Sequence, residues 1–215
     1  MTVMQIVQQL FGSMGITMEI FFVTLITSLI LGLGLALIRM SKNPILSVIA
    51  KFYISVMRGT PLMLQLLVAY FGPFFIFGMQ ITPSYRLKAV LIGFALNYAA
   101  YFAEIYRSGI AAIPVGQYEA ARMLGYSKTQ TFAYIVMPQV IKRIIPPVAN
   151  ETITLVKDTS LAFTLAVAEV FTVKQLVASQ SSVVPFIVAG IFYYIFNLIV
   201  AVFFDYLEKK LDYYR

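Results

Sequence analysis

The chain has 215 residues, of which 60% are hydrophobic and only 12% charged, with a formal net charge of +7. It contains no cysteine and no histidine, which removes disulfides, thiol nucleophiles, imidazole bases and the usual zinc ligands. So apolar a composition exceeds that of soluble domains. The basic residues cluster between hydrophobic runs, so they report membrane topology rather than nucleic-acid binding.

Uncharged apolar runs of about 18 residues or more indicate membrane helices, because every backbone amide in lipid must bond within its own segment. Ile20 to Ile38 is such a run, Gly59 to Tyr85 contains a second, and Gln175 to Phe204 a third. About five spans are expected in an all-α, polytopic membrane protein. The first covers about Ile16 to Ile38. No Lys or Arg precedes Arg39, so the basic flank of a cleavable signal peptide is missing and this stretch is expected to be retained. A turn at Ser41 to Pro44 follows, and Ile45 to Met57 reads as an interfacial helix.

Arg58-Gly59-Thr60-Pro61 breaks that helix, and Pro61 suits the first turn of a second span ending near Phe77, since its missing N–H costs nothing there. A loop at Gly78 to Arg86 leads to a third span, Lys88 to Tyr106. Pro146 and Pro147 are expected to open a fourth span that ends near Ala166. Glu169 to Val184 reads as a loop or surface helix, and the fifth span runs from about Pro185 to Tyr206. Gly32 and Gly34 are expected to allow close helix contact rather than to bind anything. With the N-terminus outside, the inner loops hold twelve Lys and Arg and the outer loops three, the asymmetry that fixes orientation. One transmembrane domain, 1–215, is the simplest division.

Between the third and fourth spans lies a polar inner segment. Val115 to Leu124 is rich in helix formers, and Gly125 is placed as a left-handed C-terminal cap. Ser127-Lys128-Thr129-Gln130 matches a capping box, and the second short helix is expected to end before Pro138. The pattern is Glu119-Ala120-Ala121, three residues, Gly125, nine residues, then Ile135-Val136-Met137-Pro138. It resembles the cytoplasmic coupling loop of ABC importer permeases, with Met137 where that family usually has Leu. Arg58-Gly59-Thr60-Pro61-Leu62, Ala103 to Ile110 and Leu155 to Leu161 resemble the polar amino acid uptake branch, which includes glutamine, histidine and arginine systems. The resemblance extends from about Gly15 to Leu207.

The resemblance implies a transport subunit rather than an enzyme, in the bacterial cytoplasmic (inner) membrane. Its coupling loop, about 108–143, would dock on a separate ATPase through Gln117, Glu119, Ala120, Ala121 and Gly125. Ala120 and Ala121 would permit close approach, Glu119 would offer a charge, and Gly125 would make the bend. The chain has no Gly-x-x-x-x-Gly-Lys-Ser/Thr loop, so ATP and Mg would be held by partner subunits. The implied partners are two ATPase subunits, a second permease subunit, identical or homologous, and an extracytoplasmic binding protein.

Ionisable groups at membrane depth cost about 2.5 to 3.5 kcal/mol each and so mark candidate substrate paths. Asn97, Tyr101, Glu104 and Ser108 share one helical face, with Tyr98 beside it, and Glu151, Thr154 and Asp158 share another. Glu151 and Asp158 would attract the amino group and any side-chain cation of an amino acid, while Asn97 and the tyrosine hydroxyls would bond its polar ends. Structural roles remain open for Glu104 with Arg107, for Lys157 with Asp158, and for Tyr98 and Tyr101 as packing. An ion-coupled secondary transporter or channel would explain the buried acids but not the long inner motif, and it lacks visible paired repeats.

Overall fold

The computed structural model describes residues 3–167, 170 and 182–211. Most of the expected loop after residue 168, Lys174 and the charged tail from residue 212 lie outside the described residues. Among the described residues there are helices and no strands.

Helix α1 (Val3–Arg39) is 37 residues long. At 1.5 Å per residue that is about 56 Å, well beyond a hydrocarbon core of about 30 Å. It begins several turns before the expected Ile16, because Ile6 and Leu10 are buried in a small cluster with Val170 and Ala189. Asn43 then opens α2 (Pro44–Gly59), its side-chain oxygen accepting from the N–H groups of Ile45 and Leu46. Helix α3 (Leu62–Phe77) leaves α2 at 111°. The break follows from local chemistry. Pro61 has no N–H and forces Thr60 to extend, and both are β-region residues in the structure.

Helix α4 (Tyr85–Ala111) packs closely on α1. A Cβ added to Gly32 would lie 2.8 Å from Phe102 Cβ and 3.0 Å from the Ala99 carbonyl oxygen. Gly32 therefore sets the α1–α4 spacing as expected. Gly34, expected to do the same, faces open space.

The inner segment comprises α5 (Val115–Met123), a single turn α6 (Lys128–Gln130) and a π-helical stretch, Thr131–Val136. It runs without interruption into α7 (Met137–Asp158). This corrects two expectations. The second short helix does not end before Pro138, and α7 does not begin at Pro146 but passes through both Pro146 and Pro147. The π turn gives the reason for the first. Pro138 cannot donate, and its ring would crowd the carbonyl four residues back. The chain widens instead, with the Met137 N–H bonded to Phe132 O, five residues away. Packing of Val140 and Ile144 on Ile110 of α4 and on Ile113 just beyond it holds α7 across its prolines.

Helix α7 ends at Asp158, not near Ala166; a 3-10 helix, Thr159–Leu165, completes that stretch and closes on Ala166 in the left-handed region (φ 54). Helix α8 (Val184–Leu211) finishes the described chain.

Among the described residues three helices, α1, α4 and α8, are long and apolar enough to cross a membrane, or four spans if the bent α2–α3 pair counts as one. The expected fourth span overlaps α7, which has 22 residues. At about 33 Å it is long enough, but Lys142, Arg143, Glu151, Lys157 and Asp158 make it too polar to pass on composition. The main core gathers Ile20, Leu66, Phe94, Tyr98, Phe102, Leu155 and Phe196. Helix α4 is central: 61% of its most apolar stretch is buried, against 33% for α1 and 17% for α8.

Candidate functional site

The inner segment is built by strong local signals. The Tyr126 N–H bonds to Ala121 O and the Gly125 N–H to Arg122 O, which is a Schellman closure. It needs the left-handed Gly125, whose φ is 79. The Ser127 hydroxyl accepts from the Gln130 N–H, and the Gln130 side chain accepts from the Ser127 N–H. Both halves of the expected capping box are therefore present.

The orientation of α5 sorts the coupling residues inferred from the sequence. Ala121 is only 1% exposed, so it faces the rest of this chain, not a partner. Tyr118, beside it, packs on Ile110, Ile113, Val136 and Val140. Gln117 accepts a hydrogen bond from the Gln139 side chain at 3.3 Å, tying α5 to α7. Glu119 and Ala120 are exposed. Sequence reasoning missed Met123 and Leu124, which project at 87% and 75% exposure. Their signal was present: two large apolar side chains directly before the capping glycine.

The α7 stripe meets α4 through Tyr98, the residue beside the α4 stripe. Tyr98 is 2% exposed, and its hydroxyl donates to Asp158 Oδ2 at 2.7 Å, linking α4 to α7. Glu151 and Asp158 are half-buried and Thr154 is exposed, its hydroxyl donating to Asn150 O. Lys157 is exposed. The Glu104 carboxylate pairs with the Arg107 guanidinium on its own helix. Tyr101 carries the Arg58 guanidinium over its ring, 5.4 Å from the centroid. Arg58 is also an electrostatic neighbour of Glu104 and Glu151.

Asn97 stands apart from the other stripe residues. It is buried, and it donates to Met57 O at 3.1 Å and to Gln65 Oε1 at 2.9 Å. Gln65 was missed from the sequence. The clue was a lone amide in an otherwise apolar span, where polar side chains normally find protein partners.

A bundle of long apolar helices with a capped polar segment between α4 and α7 is the architecture of a membrane protein. Residues 28–213 match the family described as binding-protein-dependent transport system inner membrane component, and the chain belongs to it. The probable amino-acid ABC transporter permease protein YckA of Bacillus subtilis is 40% identical over 202 residues, covering 93% of this chain and 88% of that protein. The arginine transport system permease protein ArtQ of the same organism is 38% identical over 200 residues, 92% of this chain and 90% of that one. Among solved structures, an amino acid ABC transporter crystallised with histidines superposes with TM-score 0.85 at 31% identity, covering 94% of each chain. The MetNI methionine transporter, at 15% identity and TM-score 0.77, shares the fold.

The chain is thus a multi-pass permease subunit of an ABC importer. As in its family, it works with ATPase subunits, a second permease subunit and a binding protein, and hydrolysis lies on the ATPase partners.

Proposed function

We propose that the chain translocates polar amino acids, with a preference for cationic ones, across the bacterial cytoplasmic membrane by alternating access. Two ATPase subunits holding ATP and Mg drive it, a second permease subunit, identical or homologous, completes the path, and the N-terminus lies outside. The observation that carries this reading is the pair of half-buried carboxylates on one face of α7, one of them held by a tyrosine of α4.

In this reading Glu151 and Asp158 receive the positive groups of the substrate. Thr154 lies between them, and Tyr101 flanks the site from α4. Tyr98 orients Asp158 from behind, and Asn97 supports the same α4 face. The relatives' names, amino-acid and arginine permeases, support the substrate class. Glu119, Ala120 and the exposed end of α5 meet the ATPase, while Gln117, Ala121 and Gly125 hold α5 in shape. Residues 1–215 act as one permease domain.

The test is amino-acid-stimulated ATP hydrolysis by the reconstituted complex carrying Glu151→Gln or Asp158→Asn. Each is expected to raise the half-saturating concentration of a cationic amino acid by about tenfold or more, the scale of one lost charge-assisted contact. Unchanged stimulation and affinity in both variants would remove these residues from the site.

A further inference from the structure

A helix that breaks off leaves its last carbonyls without helical partners. The α2–α3 break solves this with side chains. Val56 O accepts from the Thr60 hydroxyl at 2.8 Å. Met57 O accepts from Gln65 Nε2 at 2.9 Å and from Asn97 Nδ2 at 3.1 Å. The same Gln65 nitrogen reaches Thr60 O at 3.1 Å and Thr60 Oγ1 at 2.8 Å. With two hydrogens and three acceptors, one bond is shared. Gln65 Oε1 in turn accepts from Asn97. Asn97 therefore spends both of its N–H groups on the break, leaving no donor for a ligand.

These bonds fall on Met57 and Thr60, the residues that bracket Arg58-Gly59. Arg58 itself lies over Tyr101, one helical turn beyond Asn97 on the same face of α4. Tyr53 adds a third tie, its hydroxyl donating to Leu96 O at 2.8 Å. One face of α4 thus grips the break twice, by its backbone through Asn97 and by its cation through Tyr101.

We propose that Gln65 and Asn97 are positioning residues: two interlocked amides that fix the α2–α3 bend and hold Arg58 on Tyr101, so that transport rate rather than substrate affinity depends on them. The proposal rests on the importer assignment and does not require Glu151 or Asp158 to touch substrate.

The test uses the full complex in lipid. The chain has no cysteine, so spin labels can be placed at Lys51 on α2 and Phe75 on α3, both exposed, in labelled chain diluted with unlabelled. Gln65→Met and Asn97→Leu keep side-chain size and remove the amides. Each is expected to broaden the Lys51–Phe75 distance distribution. Each should also lower stimulated turnover about tenfold while the half-saturating concentration stays within about twofold. The double variant is expected to be no worse than the more severe single, since the amides act as one unit.

Thr60→Val removes one acceptor of Gln65 and the donor to Val56 O but leaves both amides in place; it gives a milder change in the same direction, which serves if the other variants fail to assemble. Two results overturn the proposal. One is a tenfold rise in half-saturating concentration for Asn97→Leu alone with an unchanged distance distribution, which would make Asn97 a substrate ligand. The other is wild-type turnover in every variant. If no amino acid stimulates the wild type, the substrate reading fails, while the distance measurement still decides the latch.

Discussion

Truncating Met123 and Leu124 together separates the partner-facing side of α5 from its inward side. Both side chains lie at the C-terminal end of α5, at 87% and 75% exposure, on a segment that Gly125 and the capping box hold rigid. Each change to Ala removes three heavy atoms. At about 0.8 kcal/mol per buried methylene, burial of most of each side chain in a partner is worth about 2 kcal/mol, or about 4 for the pair. That corresponds to a loss of about a thousandfold in affinity for the ATPase, at about 1.4 kcal/mol per tenfold.

The assay titrates the purified ATPase against permease in detergent and reads binding directly, with thermal unfolding of the permease alone as a control. The double variant is expected to bind far more weakly while unfolding at the wild-type temperature, because exposed side chains contribute little to the isolated fold. Ala121→Leu should show the opposite pattern: it overfills the space beneath α5 and lowers the unfolding temperature. Wild-type ATPase affinity in Met123→Ala/Leu124→Ala would refute the assigned orientation of α5.

Two further substitutions probe the bundle. Gly32→Ala forces α1 away from the α4 backbone, at a cost of about 1–3 kcal/mol for overpacking. Gly34→Ala meets nothing within 4 Å, so thermal unfolding should drop for Gly32→Ala and hold for Gly34→Ala; equal behaviour would contradict the α1–α4 packing. Tyr98→Phe deletes the donor to Asp158, a bond to a charged group worth about 1.5–3 kcal/mol. A double-mutant cycle with Asp158→Asn in an unfolding assay should show strong coupling, and additive losses would mean the bond contributes nothing.

The inner segment was legible because its signals are local. Gly125, Ser127 and Gln130 act within one turn of themselves, and each takes the conformation its neighbours require. What lay beyond the sequence depended on distant partners or on tolerance of a broken rule. Pro138, Pro146 and Pro147 read as helix boundaries, yet the π turn and packing on α4 carry the helix through all three. Ala121 sits in a motif whose resemblance pointed outward, but it is buried, and a linear reading cannot orient which side of α5 turns inward. Asn97 was placed on one face of α4 with Tyr101, but its partners, Met57 and Gln65, lie 40 and 32 residues away. A span was expected from Pro146, but the first part of α7, with Lys142 and Arg143, read as loop because its charges and Pro138 look like a boundary, whereas the helix starts at Met137.

Uptake into vesicles gives the most direct test of an energised permease. The chain is reconstituted with its second permease subunit, with and without the ATPase, and labelled cationic and neutral polar amino acids are offered with their binding protein. Accumulation is expected only when ATPase and ATP are both present, and ion gradients alone should produce none. Accumulation driven by a proton or sodium gradient in vesicles lacking the ATPase would contradict it.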